Sequence, residues 1–427
     1  MSAPAPAAPA VRGGLRAVVR SRLAAQAAAF AAGDAASTAL GAVAAAVLAR
    51  QLDTTAYGSY SFAVSLLAFS AMFAELGLFL PAARLAARAD AAGRRQITGA
   101  ALALYVPVGL GFAAVIFLLS FGVDGWFNVH VGTALRVISP LAVAYPLGFV
   151  VLQLAQGADR VAGYSLASAL GRAAFLAAVA GMIVADRVGL TAVLAAHAAT
   201  LLLAWLGLAA RLRPSGAGLR AHVPALVTEA RRYGFQVYLG RVLSMGSYNL
   251  DVLMVAAFAD PRSVGFYALA AAAAYLVGLP GMGLANALFA QLTTRERLER
   301  RWLAGGWALG LGAAGLGSLL APLVIPVVLT PDYLPVAALL PPLALAAAVR
   351  GVTSLYNVFL AAHARGRELR NVAVGLTVAN VAANAALIPP FGAAGAAWAS
   401  LLPLIVNLLA HRAAYLRVVA APEAAAA

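Results

Sequence analysis

Twelve long, mostly apolar stretches fill this chain, at 24–49, 59–81, 98–121, 133–153, 162–185, 189–210, 235–259, 264–290, 303–329, 336–361, 371–389 and 393–416. A helix needs about 20 apolar residues to cross the hydrocarbon core of a bilayer. A long soluble array of helices is the competing reading. It fails because the stretches are apolar all round and carry no sustained polar stripe. Composition agrees: 63% of the 427 residues are hydrophobic and 11% are charged, whereas soluble domains carry about 25% charged residues. Many stretches contain Gly or Pro, which membrane helices tolerate because backbone groups are satisfied locally or by neighbours.

Every basic residue is Arg, and there is no cysteine. Disulfides, thiol catalysis and Cys metal sites are therefore excluded. The first stretch does not read as a cleavable signal peptide. It is too long, and a tail bearing Arg12, Arg16, Arg20 and Arg22 precedes it. That tail reads either as a short basic amphipathic helix on the inner leaflet or as a disordered leader.

Arginine placement sets the expected orientation. With the N-terminus cytoplasmic, 23 arginines fall in cytoplasmic tails and loops. Four (Arg50, Arg136, Arg187 and Arg262) fall in outer loops, and three (Arg172, Arg241 and Arg350) fall inside helices. This split follows the positive-inside rule and places both termini in the cytoplasm. It also accounts for the formal charge of +15 without nucleic acid, because basic loops meet an anionic leaflet.

The longest polar stretch, 211–234, divides the chain into two six-helix halves. The halves resemble each other at an offset of 207 residues: Asp53 matches Asp260, Gly58 matches Gly265, Tyr60 matches Tyr267, Ala63 matches Ala270 and Gly33 matches Gly240. Six crossings per half make the repeat parallel, with a pseudo-two-fold axis along the membrane normal. The expected fold is all-α: a polytopic membrane protein of about twelve transmembrane helices, in two such bundles around a central cavity. The expected organisation is a basic tail (1–23), an N-terminal bundle (24–210), a cytoplasmic linker (211–234), a C-terminal bundle (235–417) and a short cytoplasmic tail (418–427).

Ionisable groups inside a bilayer are costly and by default mark an interior pathway. There are six: Asp34, Glu75, Arg172, Arg241, Asp251 and Arg350. Arg172, Arg241 and Arg350, with Tyr248 and Asn357, are the expected cavity residues for substrate. A guanidinium forks toward two phosphate oxygens and keeps its charge when buried. Asp34, Glu75 and Asp251 are candidates for ion coupling or a cavity ion pair; the repeat offset sets Asp34 opposite Arg241. The competing reading is that the six groups pair and tie helices together. Their formal sum is zero, so an anion-binding cavity needs some acid protonated or placed apart.

The remaining chemistry is sparse. His130, His197, His222, His363 and His411 lack metal-ligand spacing, and there is no Walker A loop. His197 reads as a packing or a cavity residue. Asp53 and Asp260 read as helix caps rather than metal ligands. No metal, cofactor or catalytic residue is expected.

LARQLDTTAYGSYSFAVSLLAFSAMFAELGL (48–78), with Leu52, Tyr57, Gly58, Tyr60, Gly77 and Leu78, resembles the first helix–loop–helix of the polysaccharide-biosynthesis flippases. YNLDVLMVAAFADPRSVGFYALA (248–270), with Asp251, Val264, Gly265 and Tyr267, resembles their second-half hallmark. PPFGAAGAAWASLL (389–402) is similar to their late turn, at Gly392, Gly395, Ala396 and Ala397. This resemblance implies membership of the multidrug/oligosaccharidyl-lipid/polysaccharide exporter superfamily. It implies an inner-membrane flippase that moves polyprenyl-diphosphate-linked oligosaccharide outward by alternating access, with proton or sodium coupling. Membrane lipid, and other polysaccharide-assembly membrane proteins, would be its partners. Lipid II flippases of the superfamily usually have fourteen helices, so twelve argues against that branch. Two other functions stay open: an ion-coupled multidrug exporter, whose cavity should favour acids, and a membrane-embedded glycosyltransferase or polymerase.

Overall fold

A computed structural model describes residues 22–235, 238, 247–292, 295–363 and 365–425. The tail up to Ser21, Arg241 and the Gly240 half of the repeat lie outside the described residues, as does the side chain of Tyr248. Apolar sequence with no water to satisfy its backbone forms helices, and the described residues are overwhelmingly helical. The N-terminal half contains α1 (Arg22–Gln51), α2 (Thr54–Ala74), a short α3 (Leu80–Arg88) and α4 (Ala91–Leu119). It continues with α5 (Gly132–Gly157), α6 (Val161–Val184) and α7 (Leu190–Arg211). The linker holds α8 (Leu219–Glu229) and a wide turn, Ala230–Gly234. The C-terminal half contains α9 (Ser247–Phe258), α10 (Pro261–Ala287), α11 (Arg300–Val328), α12 (Pro335–Ala362) and α13 (Gly366–Ala425).

Ten of these helical segments are long and apolar enough to cross a membrane. One of them, in α13, counts twice. At about 1.5 Å per residue its 60 residues are far too long for one crossing. Gly392 breaks it, with φ of +54°, a conformation that favours glycine. Its arms then bring Leu376 and Asn380 beside Ser400 and Leu404. The described residues thus supply eleven such spans, and α9 is the described part of the seventh of the twelve stretches. Large side chains such as Leu110, Leu118, Leu203, Leu319 and Leu323 stand exposed, as lipid-facing residues of a multi-pass membrane protein must.

Helix ends obey local chemistry. Asp53 accepts from the amides of Thr55 and Ala56, each at 2.8 Å, and Asp260 accepts from Ser263 at 2.8 Å. Both repeat-related acids are thus caps. Asp53→Ala should destabilise the protein by about 1 kcal/mol, read as a lowered thermal unfolding midpoint in detergent.

The helices form two lobes, α1–α7 and α9–α13. A single hydrophobic cluster joins them at the end with few arginines: Leu48, Tyr57, Phe62 and Phe175 from one lobe, Val255, Val264, Tyr267 and Tyr333 from the other. At the arginine-rich end the clusters are separate. One holds Phe79, Ile97, Leu154, Trp205 and Leu226; another holds Leu292, Trp302, Leu355 and Phe359. Among the described residues the lobes therefore share a core at the arginine-poor end and none at the arginine-rich end, where Tyr238 donates to the Phe73 carbonyl at 3.2 Å.

Candidate functional site

The junction between the lobes is built from the sequence repeat itself. A Cβ on Gly58 would lie 1.7 Å from the Pro261 carbonyl oxygen, and one on Gly265 would lie 3.1 Å from the Gly58 nitrogen. The two matched glycines thus let backbone meet backbone, the close approach small residues permit between membrane helices. Around them, Arg50 donates from Nε to the carbonyls of Val328 (2.8 Å) and Leu329 (3.1 Å), and from Nη2 to Val327. It satisfies orphan carbonyls at the end of α11 from the opposite lobe. Arg262 donates to Thr55 Oγ1 at 3.2 Å, and Tyr57 packs edge-on against Tyr333.

Behind this junction lie two cavities, one lined chiefly by each lobe, with Ala268 of α10 also lining the N-terminal one. That of the N-terminal lobe, about 440 Å³, is lined by Tyr60, Tyr145, Ser168, Arg172, His197 and Thr200, among others. Arg172 lies along α1 at Gly41, where a Cβ would come within 3.1 Å of its Nη1. The Tyr60 hydroxyl and His197 Nδ1 are 2.7 Å apart, and Phe175 packs on the His197 ring. The Tyr145 hydroxyl is buried without a hydrogen-bond partner among the described residues. No described carboxylate lines this cavity or lies within ion-pair distance of Arg172.

The cavity of the C-terminal lobe, about 250 Å³, is lined by Asp251, Tyr267, Arg350, Asn380 and Ser400, with Met282 and Leu404. Tyr267 donates to Asp251 Oδ2 and lies 3.0 Å from Ser400 Oγ. The amide of Val252 donates to Asp251 Oδ1 at 2.9 Å. The matched tyrosines, Tyr60 and Tyr267, thus occupy both cavities. The charge differs: at the offset that aligns them, Asp251 corresponds to Ala44, which lines the N-terminal cavity.

Of the expected cavity residues, Arg172 and Arg350 therefore line separate cavities, where the sequence reading placed the arginines around one chamber. Asp251 shares the cavity of Arg350. Asp34 stands exposed on α1, and its expected partner Arg241 lies outside the described residues. Glu75 is buried where α2 ends, and Gln153 Nε2 donates to it at 3.4 Å. It lies in neither cavity lining. Asn357 faces His411, 3.3 Å away, and joins α12 to the second arm of α13. Tyr60, Tyr145, Tyr267, Asn380 and Ser400 are additions. The register of Tyr60 with Tyr267 was the signal that could have found two of them. No group of His, Asp and Glu among the described residues is arranged to hold a metal.

The sequence profile of the polysaccharide biosynthesis proteins matches residues 23–289, which include Arg172 and Asp251. The chain belongs to this family. No curated protein sequence matches it. Among solved structures, the family member is similar to the lipid II flippase MurJ in an inward closed conformation. The TM-score is 0.71 and the identity 13%, over 91% of this chain and 89% of that one. It is also similar to an inward-facing multidrug resistance transporter of the MATE family and MOP superfamily, with TM-score 0.69 and 14% identity over 90% and 95%. A MOP superfamily transporter from Pyrococcus furiosus, with a binding pocket described as of reverse polarity, matches at TM-score 0.55 and 15% identity over 92% and 96%. These likenesses establish the two-lobed fold.

Proposed function

We propose that the protein carries a polyprenyl-diphosphate-linked oligosaccharide from the inner to the outer leaflet of the bacterial cell membrane by alternating access. The observation that carries this reading is the unopposed guanidinium of the N-terminal cavity. Arg172 lines a space with no described carboxylate in its lining. An anionic diphosphate answers it by accepting from the guanidinium fork. A cationic drug would be repelled by it. Membership of the polysaccharide biosynthesis family supports a glycan on the cargo.

The positive-inside rule makes the arginine-rich end cytoplasmic, so the end at which the described parts of the lobes share no core is the side where such lipids are assembled. An apolar groove of about 410 Å³ runs between α1 (Ala42, Ala45, Ala46) and α10–α11 (Leu276, Val277, Leu320, Val324). It offers the prenyl chain a path in lipid beside the cavity. Asp251, with Tyr267 and Arg350, is the coupling group: a carboxylate in a polar pocket of the opposite lobe, able to exchange a proton or sodium ion. Asp34 and Glu75 lie outside both cavity linings and support this role less.

Deletion of the coding sequence should accumulate the lipid-linked glycan on the cytoplasmic leaflet, abolish the surface polysaccharide and leave dye efflux unchanged. Normal surface glycan with lost dye efflux would favour the multidrug reading instead.

A further inference from the structure

Two aromatic rings line the N-terminal cavity on the arginine-rich side of Arg172. Tyr164, in the first turn of α6, and Trp205, near the end of α7, stack with ring centroids 4.7 Å apart and planes inclined by 10°. We propose that this pair is a platform for a pyranose ring of the cargo, so that the cavity recognises sugar as well as phosphate. The inference rests on the reading of Arg172 as the diphosphate site.

Small residues seat the stack. A Cβ on Gly171 of α6 would lie 3.0 Å from the Ala204 Cβ of α7, and one on Gly148 of α5 would lie 3.0 Å from Trp205 Nε1. The indole is thus wedged among three helices and is only 4% exposed. Tyr164 is half-buried. With the indole behind it, its ring keeps one face for the cavity. That face is electronegative, and the C–H bonds on one side of a pyranose carry the complementary positive charge.

Partners for sugar hydroxyls line the same cavity. Thr200 Oγ1 spends its proton on the carbonyls of Ala196 (2.8 Å) and His197 (3.1 Å), so its oxygen is left to accept. Ser168 Oγ shares one hydrogen bond with Ser37 Oγ at 2.8 Å and has capacity for another. These hydroxyls suit a sugar better than a prenyl chain. Charge excludes a second phosphate: Asp34 of α1 lies within electrostatic reach of the Tyr164 hydroxyl, so a neutral group belongs on the platform. Spacing agrees. Eight residues of α6 separate Tyr164 from Arg172, about 12 Å along the axis. Prenyl chain and glycan leave a diphosphate from opposite ends. With the prenyl chain in lipid and the diphosphate on Arg172, the first sugars run toward the arginine-rich mouth, where the platform lies.

The test is native mass spectrometry of the full-length protein in detergent, titrated with undecaprenyl diphosphate N-acetylglucosamine and with undecaprenyl methyl diphosphate. The two probes match in charge and prenyl chain and differ in the sugar. The parental protein should retain the sugar-bearing lipid more tightly, by roughly two- to twelvefold, the range of an aromatic stacking contact. Tyr164→Leu should bring that ratio close to one. Tyr164→Phe, which returns the ring without the hydroxyl, should return the ratio. Damage to the fold would weaken both lipids alike, so an unchanged ratio in Tyr164→Leu would make the pair packing and overturn the platform. A larger loss of the methyl ester than of the sugar-bearing lipid would put the prenyl chain on the rings and overturn it too. A parental ratio near one would overturn this inference alone, whereas retention of neither lipid would overturn the transport reading with it.

Discussion

Replacing Arg172 with Ala is expected to stop glycan translocation while the protein still folds and inserts. Both halves of that expectation come from the cavity around it. Arg172 is largely exposed within its lobe, and no described carboxylate pairs with it. Its removal therefore strands no buried acid, and a stranded partner is what makes most deletions of buried charge destabilising. What is lost is the fork for a diphosphate. Truncating a desolvated charge contact costs about 2–4 kcal/mol, which is roughly 30- to 1000-fold in rate if the contact is made in the rate-limiting step. Arg172→Lys keeps the charge without the planar fork and should fall between. Arg350→Ala is the contrasting variant. Asp251 lines the same cavity, so that change should lower the unfolding midpoint together with transport. The measurement is the rate at which lipid-linked glycan reaches the outer leaflet of proteoliposomes, beside unfolding midpoints. An Arg172→Ala protein that transports at more than about a third of the parental rate would remove this residue from the substrate site.

The contrast between Arg172 and Arg350 also marks how far the sequence reading reached. Helix number was legible because a bilayer demands length and apolarity, and both are written in every stretch. Even the turn at Gly392 lay within a motif that the sequence presented. The two halves were legible because Asp53, Gly58 and Tyr60 recur at Asp260, Gly265 and Tyr267. Which way each helix faces was not. A helix that is apolar all round carries no stripe to orient it, so one charge per helix cannot tell a shared chamber from two. Glu75 shows the same limit. It falls in an apolar stretch, yet it ends α2 and is bonded by Gln153 on α5, a partner seventy-eight residues away that no local pattern announces. Tyr60 and His197 were hidden for a related reason. Their 2.7 Å contact spans α2 and α7, and each alone looks like packing. The repeat did expose one contact between the lobes, since Gly58 and Gly265 lie against each other's backbone.

Valine at Gly58 is accordingly expected to hold the arginine-poor end open. The neighbour that a new Cβ would strike is the Pro261 backbone, 1.7 Å away, and backbone in a capped helix start cannot swing aside as a side chain can. Overpacking relieves itself where resistance is least. Among the described residues the lobes share one apolar cluster at this end and hold separate clusters at the other, so a rotation that opens this end breaks shared packing here, while no shared core among the described residues opposes the lobes closing at the other. That rotation would strain the contacts of Arg50 with the end of α11, of Arg262 with Thr55, and of Tyr57 with Tyr333. The absence of native cysteine permits paired spin labels at Asp186→Cys and Phe391→Cys on one end, and at Arg213→Cys and Arg365→Cys on the other. In Gly58→Val the first distance should lengthen, the second shorten, and transport should cease. Gly265→Val should do the same from the other lobe, because each matched glycine faces the other's backbone. If transport ceased with both distances unchanged, the glycines would be packing residues of a rigid seam rather than the place where the two bundles separate. Alternating access would then need another point of opening.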